Sequence, residues 1–185
     1  KFPQQDAAER LENPVWHIHG GTPPAPDAEI GFGLLLNLAS VCQASEEETL
    51  WGYISRYAPE VTPENAPLLA KLVGYAVRYY QDFVAPTNVY RAPDETERAA
   101  LLDLAETLES LPRDMASEDI QSHVYEVGKR HDFANLRDWF KACYEVLLGQ
   151  SQGPRMGSFI ALYGIEESIR LIHAKLQDHT SAAPA

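Results

Sequence analysis

Cysteine is scarce in this chain: Cys42 and Cys143 are the two among 185 residues. They lie far apart, neither belongs to a C-x-x-C pair, and each falls in an apolar helical pattern. That argues against a zinc site or a thiol redox motif, and two buried free thiols in a reducing cytoplasm are expected. Long apolar runs are also missing. The stretch around Leu34 to Val41 is interrupted by Asn37 and Ser40, well short of the roughly 18 residues a membrane span needs, so no membrane partner is expected. The opening Lys1-Phe2-Pro3 has no initiator Met, and neither the apolar run nor the cleavage site of a signal peptide follows. A piece beginning inside a longer protein is the simplest expectation.

Positive charge is in short supply. Fifteen Lys and Arg stand against 27 Asp and Glu, for a net charge of −12, a balance that at first opposes nucleic acid, because phosphate is gripped by cations. The deficit is uneven, however. Residues 1–120 hold 8 basic and 20 acidic side chains, and residues 121–185 hold 7 of each. Lys129, Arg130, His131, Arg137, Lys141 and Arg155 all fall in the balanced part. An acidic shell with one neutral-to-basic face is compatible with a nucleic-acid partner at that face.

Period-2 alternation is absent as well, and with it any convincing strand. What is present has helical spacing. One segment from about 27 to 42 is apolar nearly all round and should be central. Ser45-Glu46-Glu47-Glu48 has capping-box spacing and opens a second helix reaching about Tyr57. A long helix puts Leu69, Leu72, Val73, Ala76, Tyr79, Tyr80 and Phe83 on one face, and Pro67 is tolerable only in its first turn, which places the start near Asn65. Asp94-Glu95-Thr96-Glu97 is another capping signal, for a helix stopped by Pro112. Ser117 should cap a helix to about Lys129. Leu136 to Leu147 forms the next, ended by Gly149, followed by a short helix from Ser158 to Tyr163 and a last one through Leu176. The expected fold is all-α, a bundle or cage of about eight helices. Residues 1–26 form a connector, 27–112 and 113–179 form two helical subdomains, and 180–185 form a disordered tail.

Few groups in this pattern carry chemistry. Neither a G-x-S-x-G elbow nor a P-loop is present, and no nucleophile has a base partner at a recognisable spacing. No catalytic residue is expected. His17 and His19 make an H-x-H pair without an evident third ligand, so packing within the connector is the preferred reading and no metal site is expected. The acidic runs at 46–48 and 94–97 are read as helix starts that complement the helix dipole. The segment 149–164 stands apart. Gly153, Gly157 and Gly164 punctuate a stretch carrying Arg155, Ser158, Phe159 and Tyr163. Glycine permits close backbone approach, and Arg with aromatics is the set that grips phosphate and stacks on unpaired bases. A helix corner with a surface Arg and two core aromatics is the competing reading.

Several stretches resemble class I lysyl-tRNA synthetases of the archaeal and alphaproteobacterial type. They are Leu11-Glu12-Asn13-Pro14-Val15-Trp16-His17-Ile18-His19, then Leu34-Leu35-Leu36-Asn37-Leu38, Arg91-Ala92-Pro93-Asp94-Glu95 and Val124-Tyr125-Glu126-Val127-Gly128-Lys129. The longest runs from Tyr144 through Gly164. The likeness covers nearly the whole chain in order. It implies the helical C-terminal region that binds the anticodon end of lysine tRNA, detached from a Rossmann-type catalytic domain bearing the His-Ile-Gly-His and Lys-Met-Ser-Lys-Ser signatures. Both signatures are absent here. His17-Ile18-His19-Gly20 is only a near-anagram of the first, and the Pro-rich residues after it cannot open the helix that signature needs. The implied parent reaction is ATP-dependent attachment of lysine to its tRNA in the cytoplasm. This region would then bring no cofactor and no DNA affinity, only recognition of tRNA.

The end of the chain also resembles the last helical subdomain of glutamyl-tRNA synthetases. That likeness implies a tRNA contact surface around Lys129, Arg130, Arg155, Ser158, Phe159 and Tyr163. An Arg falls near the position of Phe159 in the glutamyl enzymes, so that contact does not carry over, and Met156 stands where Phe is expected. The rival expectation is an acidic helical protein–protein interaction module without RNA affinity.

Overall fold

The computed structural model describes residues 30–178. The 1–26 connector with His17 and His19, and the 180–185 tail, lie outside them. Among the described residues are eight α-helices and no strand, the all-α architecture that the periodicity predicts. In chain order they are α1 Phe32–Cys42, α2 Glu47–Tyr57, α3 Pro67–Tyr79, α4 Glu95–Glu109, α5 Ser117–Arg130, α6 Leu136–Cys143, α7 Met156–Tyr163 and α8 Ile165–Asp178. Helix α3 runs on into a π turn at Tyr80–Val84, and α6 into a second at Tyr144–Leu148.

Helix α1 is apolar nearly all round and therefore central. Leu35, Leu38 and Ala39 are fully buried, and α1 packs against α2, α3, α7 and both π turns. One hydrophobic cluster runs from Ile30 to Leu176 and takes in residues of every helix, so the segments before and after 112 share a core. Cys143 is buried, whereas Cys42 is only half-buried, because it ends α1 beside the left-handed Gln43 (φ 49°).

The helix starts follow local chemistry unevenly. Pro67 occupies the first turn of α3, where its missing N–H costs nothing. Asn65 serves the preceding turn instead, its Oδ1 accepting from the Thr62 N–H at 2.8 Å. At α4 the capping box forms: Asp94 accepts from the Glu97 N–H (2.8 Å) and Glu97 accepts from the Asp94 N–H (2.9 Å). The expected box at Ser45 does not form. Glu46 is the N-cap without a side-chain bond, and the Ser45 carbonyl accepts from the Gln81 amide at 3.0 Å. Ser117 likewise falls inside its helix, with Ala116 at the cap. Asn135 caps α6 by accepting from the Arg137 and Asp138 N–H groups.

Two contacts fix the later helices. The Glu97 carboxylate receives two bonds of 2.6 Å from the Arg91 guanidinium, which also donates to Glu145 at 2.6 Å. The start of α4 is thereby tied to the second π turn. The Arg91 bonds hold the Glu97 carboxyl below its ordinary range despite burial. The second contact is between α5 and α7. A Cβ on Gly157 would meet the Ser117 carbonyl oxygen and, at 2.6 Å, the Gln121 amide nitrogen, so the two helices touch through backbone.

Gly157→Ala must therefore push α7 off α5, and an overpacking loss of about 1–3 kcal/mol or more is expected. Gly52, with nothing within 4 Å of an added Cβ, is the control. Gly52→Ala should be neutral or stabilise by up to about 1 kcal/mol, and urea titration reads both. Glu97→Gln should cost about 1–3 kcal/mol at neutral pH. Because the folded pKa of Glu97 is depressed, its contribution is present above the unfolded carboxylate range and lost as pH falls through the folded value. The gap between wild type and variant should close on acidification, and denaturation curves across that window test it.

Candidate functional site

The chain places the six candidate residues along the α5–α7 corner without gathering them into one pocket. Arg155 is the exposed N-cap of α7. It lies near Glu118 in the first turn of α5, whose carboxyl is held low by its own backbone N–H, then by Ser117, with a weaker pull from Arg155. Lys129 and Arg130 sit at the other end of α5, about 16–18 Å along the helix axis from Glu118 at 1.5 Å per residue. Lys129 is exposed and pairs with Glu126 at 2.7 Å. Arg130 turns toward α4 and is held by Asp103 at 2.7 Å and Thr107 at 3.0 Å. His131 reaches the same Asp103 at 3.0 Å.

The aromatics of α7 face inward. Phe159 is 1% exposed and stacks on Tyr163 at 5.4 Å, while Tyr163 stacks in turn on Tyr53 of α2 at 5.3 Å. Phe159 offers no face to a ligand and acts in the core, because the side of α7 carrying Met156, Phe159 and Ile160 is the side that packs. Tyr163 is half-buried, and burial pushes its phenol up to about 12. Ser158 is half-buried. Beside Tyr163 is a groove of about 300 Å³ that also includes Arg56, Arg113, Glu166 and Glu167. Its arginines are already engaged, Arg56 with Glu167 at 3.0 Å and Arg113 with Glu166 at 2.9 Å.

A more continuous face lies between Arg155 and Lys129. Glu118, Ser122, Tyr125 and Lys129 are spaced 4, 3 and 4 residues apart and are all exposed, one stripe along α5. Tyr125, 42% exposed, meets Phe140 of α6 edge-on at 4.9 Å. Arg137 and Lys141, both exposed, flank Phe140. One turn on, the Tyr144 hydroxyl donates to the Pro154 carbonyl at 2.8 Å. Gly153 packs on the same ring, where a Cβ would lie 2.6 Å from it. That clamp leads the loop into Arg155. An aromatic pair is thus bordered by Lys129, Arg137 and Lys141, the last 3.7 Å from Glu145, with Arg155 at the far end of the α5 stripe, groups able to contact phosphates around a stacked base.

Sequence reasoning marks Arg137 and Lys141 as charge but misses Tyr125, Phe140 and Tyr144. Their i, i+3 and i+4 spacing to the basic residues is the available signal. Among the described residues no cluster of His, Cys, Asp or Glu could hold a metal ion, and no helix is long and apolar enough to cross a membrane.

No family model and no solved structure matches the chain. Curated relatives do. Over 172 residues it is 54% identical to a protein named lysine–tRNA ligase of Roseobacter denitrificans, covering 93% of this chain and 32% of that protein. Proteins of the same name are 47% identical in Rickettsia bellii and 42% identical in Rickettsia rickettsii, each over 174 residues, 94% of this chain and 33% of theirs. The chain therefore spans about a third of the length of the curated relatives it matches.

The division between core and face has a stability signature. Phe159→Ala should cost about 3–5 kcal/mol, whereas Arg155→Ala and Tyr125→Ala should each change stability by about 1 kcal/mol or less. Chemical denaturation of the three variants checks the assignment, and a small loss for Phe159→Ala would move that ring out of the core.

Proposed function

We propose that this chain is the anticodon-binding portion of a class I lysine–tRNA ligase. It holds the anticodon stem-loop of lysine tRNA, while a catalytic domain elsewhere in the same polypeptide uses ATP to join lysine to the tRNA 3′ end in the cytoplasm. The observation that carries this reading is the identity of 42–54% to proteins named lysine–tRNA ligase, collinear over more than nine-tenths of the chain. The site geometry supports it: cations border an aromatic pair of which Tyr125 is exposed and Phe140 half-buried.

The roles follow from physics. Arg155, Lys129, Arg137 and Lys141 neutralise phosphates and set the register of the RNA. Tyr125 and Phe140 offer ring surface to an unstacked loop base, a contact every base accepts. Ser158 supplies a hydroxyl beside Arg155. Arg130, tied to Asp103, steadies the end of α5 and contributes field rather than direct contact. Tyr163 and Phe159 hold α7 in place beneath the face. The acidic remainder repels RNA from the wrong surfaces.

Fluorescence titration with lysine tRNA and glutamate tRNA tests this reading, with tighter binding of the first expected. Arg155→Ala should weaken binding, and it should lower the slope of log affinity against log salt by about 0.7–0.9 for each phosphate that is no longer neutralised. Helix content should stay unchanged. Absence of tRNA binding even at low salt would reject the proposal in favour of an acidic helical interaction module.

A further inference from the structure

Helix α3 and its π turn carry apolar residues on two faces. Leu69, Val73, Ala76 and Val77 are buried in the core. Leu68, Leu72, Tyr75, Tyr79 and Phe83, spaced 4, 3, 4 and 4 residues apart, form a second stripe on the outside. Along it Leu68 is 47%, Tyr75 58%, Tyr79 46% and Phe83 60% exposed. The Tyr79 and Phe83 rings lie 5.0 Å apart, and Phe32 of α1 meets Tyr79 edge-on at 6.1 Å. With Tyr75, Arg78 and Asp82 these rings line a hollow of about 450 Å³. A helix that is apolar on both sides is ordinarily covered on both, and a contiguous exposed apolar patch marks an interaction site.

The stretch 1–29, outside the described residues, joins the fold beside this stripe. Ile30 is buried, and Phe32, two residues on, is a wall of the hollow. The sequence of that stretch suits the surface. It brings Val15, Trp16 and Ile18 within four residues, and it holds five acidic side chains against two basic. Lys71 and Arg78, both exposed beside the outer stripe, hold no ion pair among the described residues. Trp16 is 14 residues from Ile30, a reach of up to roughly 46 Å when extended. The stripe from Leu68 to Phe83 is about 22 Å long along the helix axis. Attachment at Ile30 also keeps the stretch at high local concentration, so a modest contact suffices. A second copy of the chain fits less well, because a two-fold contact would set four Lys71 and Arg78 cations against two Asp82 carboxylates. We propose that residues 9–19 dock on the outer face of α3, with Trp16 in the hollow between Tyr75, Tyr79 and Phe83, and with Glu9 and Glu12 toward Lys71 and Arg78. The contact fixes the side from which any preceding polypeptide reaches the helical bundle, and it is independent of the tRNA reading.

The test uses the full chain. The photocrosslinker p-benzoylphenylalanine in place of Tyr75 should, on irradiation, join to residues 9–19 of the same molecule, a product at monomer mass that peptide mapping locates. In the unsubstituted chain the amides of residues 15–19 should exchange slowly with deuterium. Tyr75→Asp and Phe83→Asp, both at exposed rings, should speed that exchange by at least about tenfold, with circular dichroism unchanged. Arg78→Glu should speed it by a smaller factor, and Phe83→Tyr should keep the protection. Cross-links at dimer mass would overturn the proposal in favour of a second copy. Absence of any cross-link to residues 9–19, or protection at 15–19 that both aspartate variants leave unchanged, would overturn it in favour of a separate partner on this face.

Discussion

At Gly157 helix α7 meets helix α5 with no side chain between them, and the candidate face is laid out from that contact. The N-terminal turn of a helix leaves N–H groups without intrahelical partners, and Arg155, at the N-cap, has no side-chain acceptor to offer. Gln121 supplies one from the neighbouring helix, its Oε1 accepting from the buried Gly157 N–H at 2.7 Å. Because the cap comes from α5, the Arg155 side chain is released to solvent at the end of the α5 stripe. Any larger residue at 157 would separate the two backbones, break the Gln121 bond and shift Arg155 relative to Tyr125 and Lys129. A stability constraint and the placement of a surface cation are here the same contact.

Electrostatics separates the cations that hold the fold from those that face outward. Asp103 is pushed up by burial, yet His131 and Arg130 outweigh this and hold its carboxyl low. Glu167 binds both Arg56 and Arg170, and Glu97 with Glu145 consumes Arg91. Most of these carboxylates join helices distant in sequence, so a large part of the excess acid is structural. Arg137 and Arg155 hold no such ion pair among the described residues. In a chain of net charge −12, a face with unpaired cations differs from its surroundings in local potential, and that local difference governs encounter with a polyanion.

Helix number, order and most inward positions are legible in the sequence, because a 3.6-residue apolar period survives wherever one face packs on a single core. Leu69, Val73 and Ala76, for example, are all buried. The failures have physical causes. Ser45 and Ser117 have cap-forming side chains, but a tertiary bond to Gln81 in one case and a one-residue shift in the other decide the start. Tyr79 and Phe83 match the apolar stripe of α3 and yet stand exposed, because the buried line runs through Leu69, Val73, Ala76 and Tyr80 and the π turn then changes the phase. Phe159 and Tyr163 have the composition of a stacking surface. Which side of α7 packs depends on Gly157, and only the fold reveals its partner. Arg155 and Lys129 do lie on the surface, as expected. The aromatic ring material between them comes from α5 and α6, outside the glycine-punctuated segment 149–164.

Both π turns sit where a helix must end against the same central element, α1, and each does so through a tyrosine. Tyr80 is buried and the Tyr144 hydroxyl clamps the loop that carries Arg155. Widening a helix at its last turn exposes side chains that a regular turn would have buried, so the same device that closes the core also presents Phe83. Under the proposed function the surface offers two kinds of contact. Phosphate contacts from a few exposed cations position the RNA without reading it, and ring contacts add stacking that any unpaired base accepts. Because those cations are few and the remainder is acidic, phosphate contacts alone would hold RNA weakly. A region of this kind works best when the rest of a polypeptide holds the same RNA and raises its local concentration.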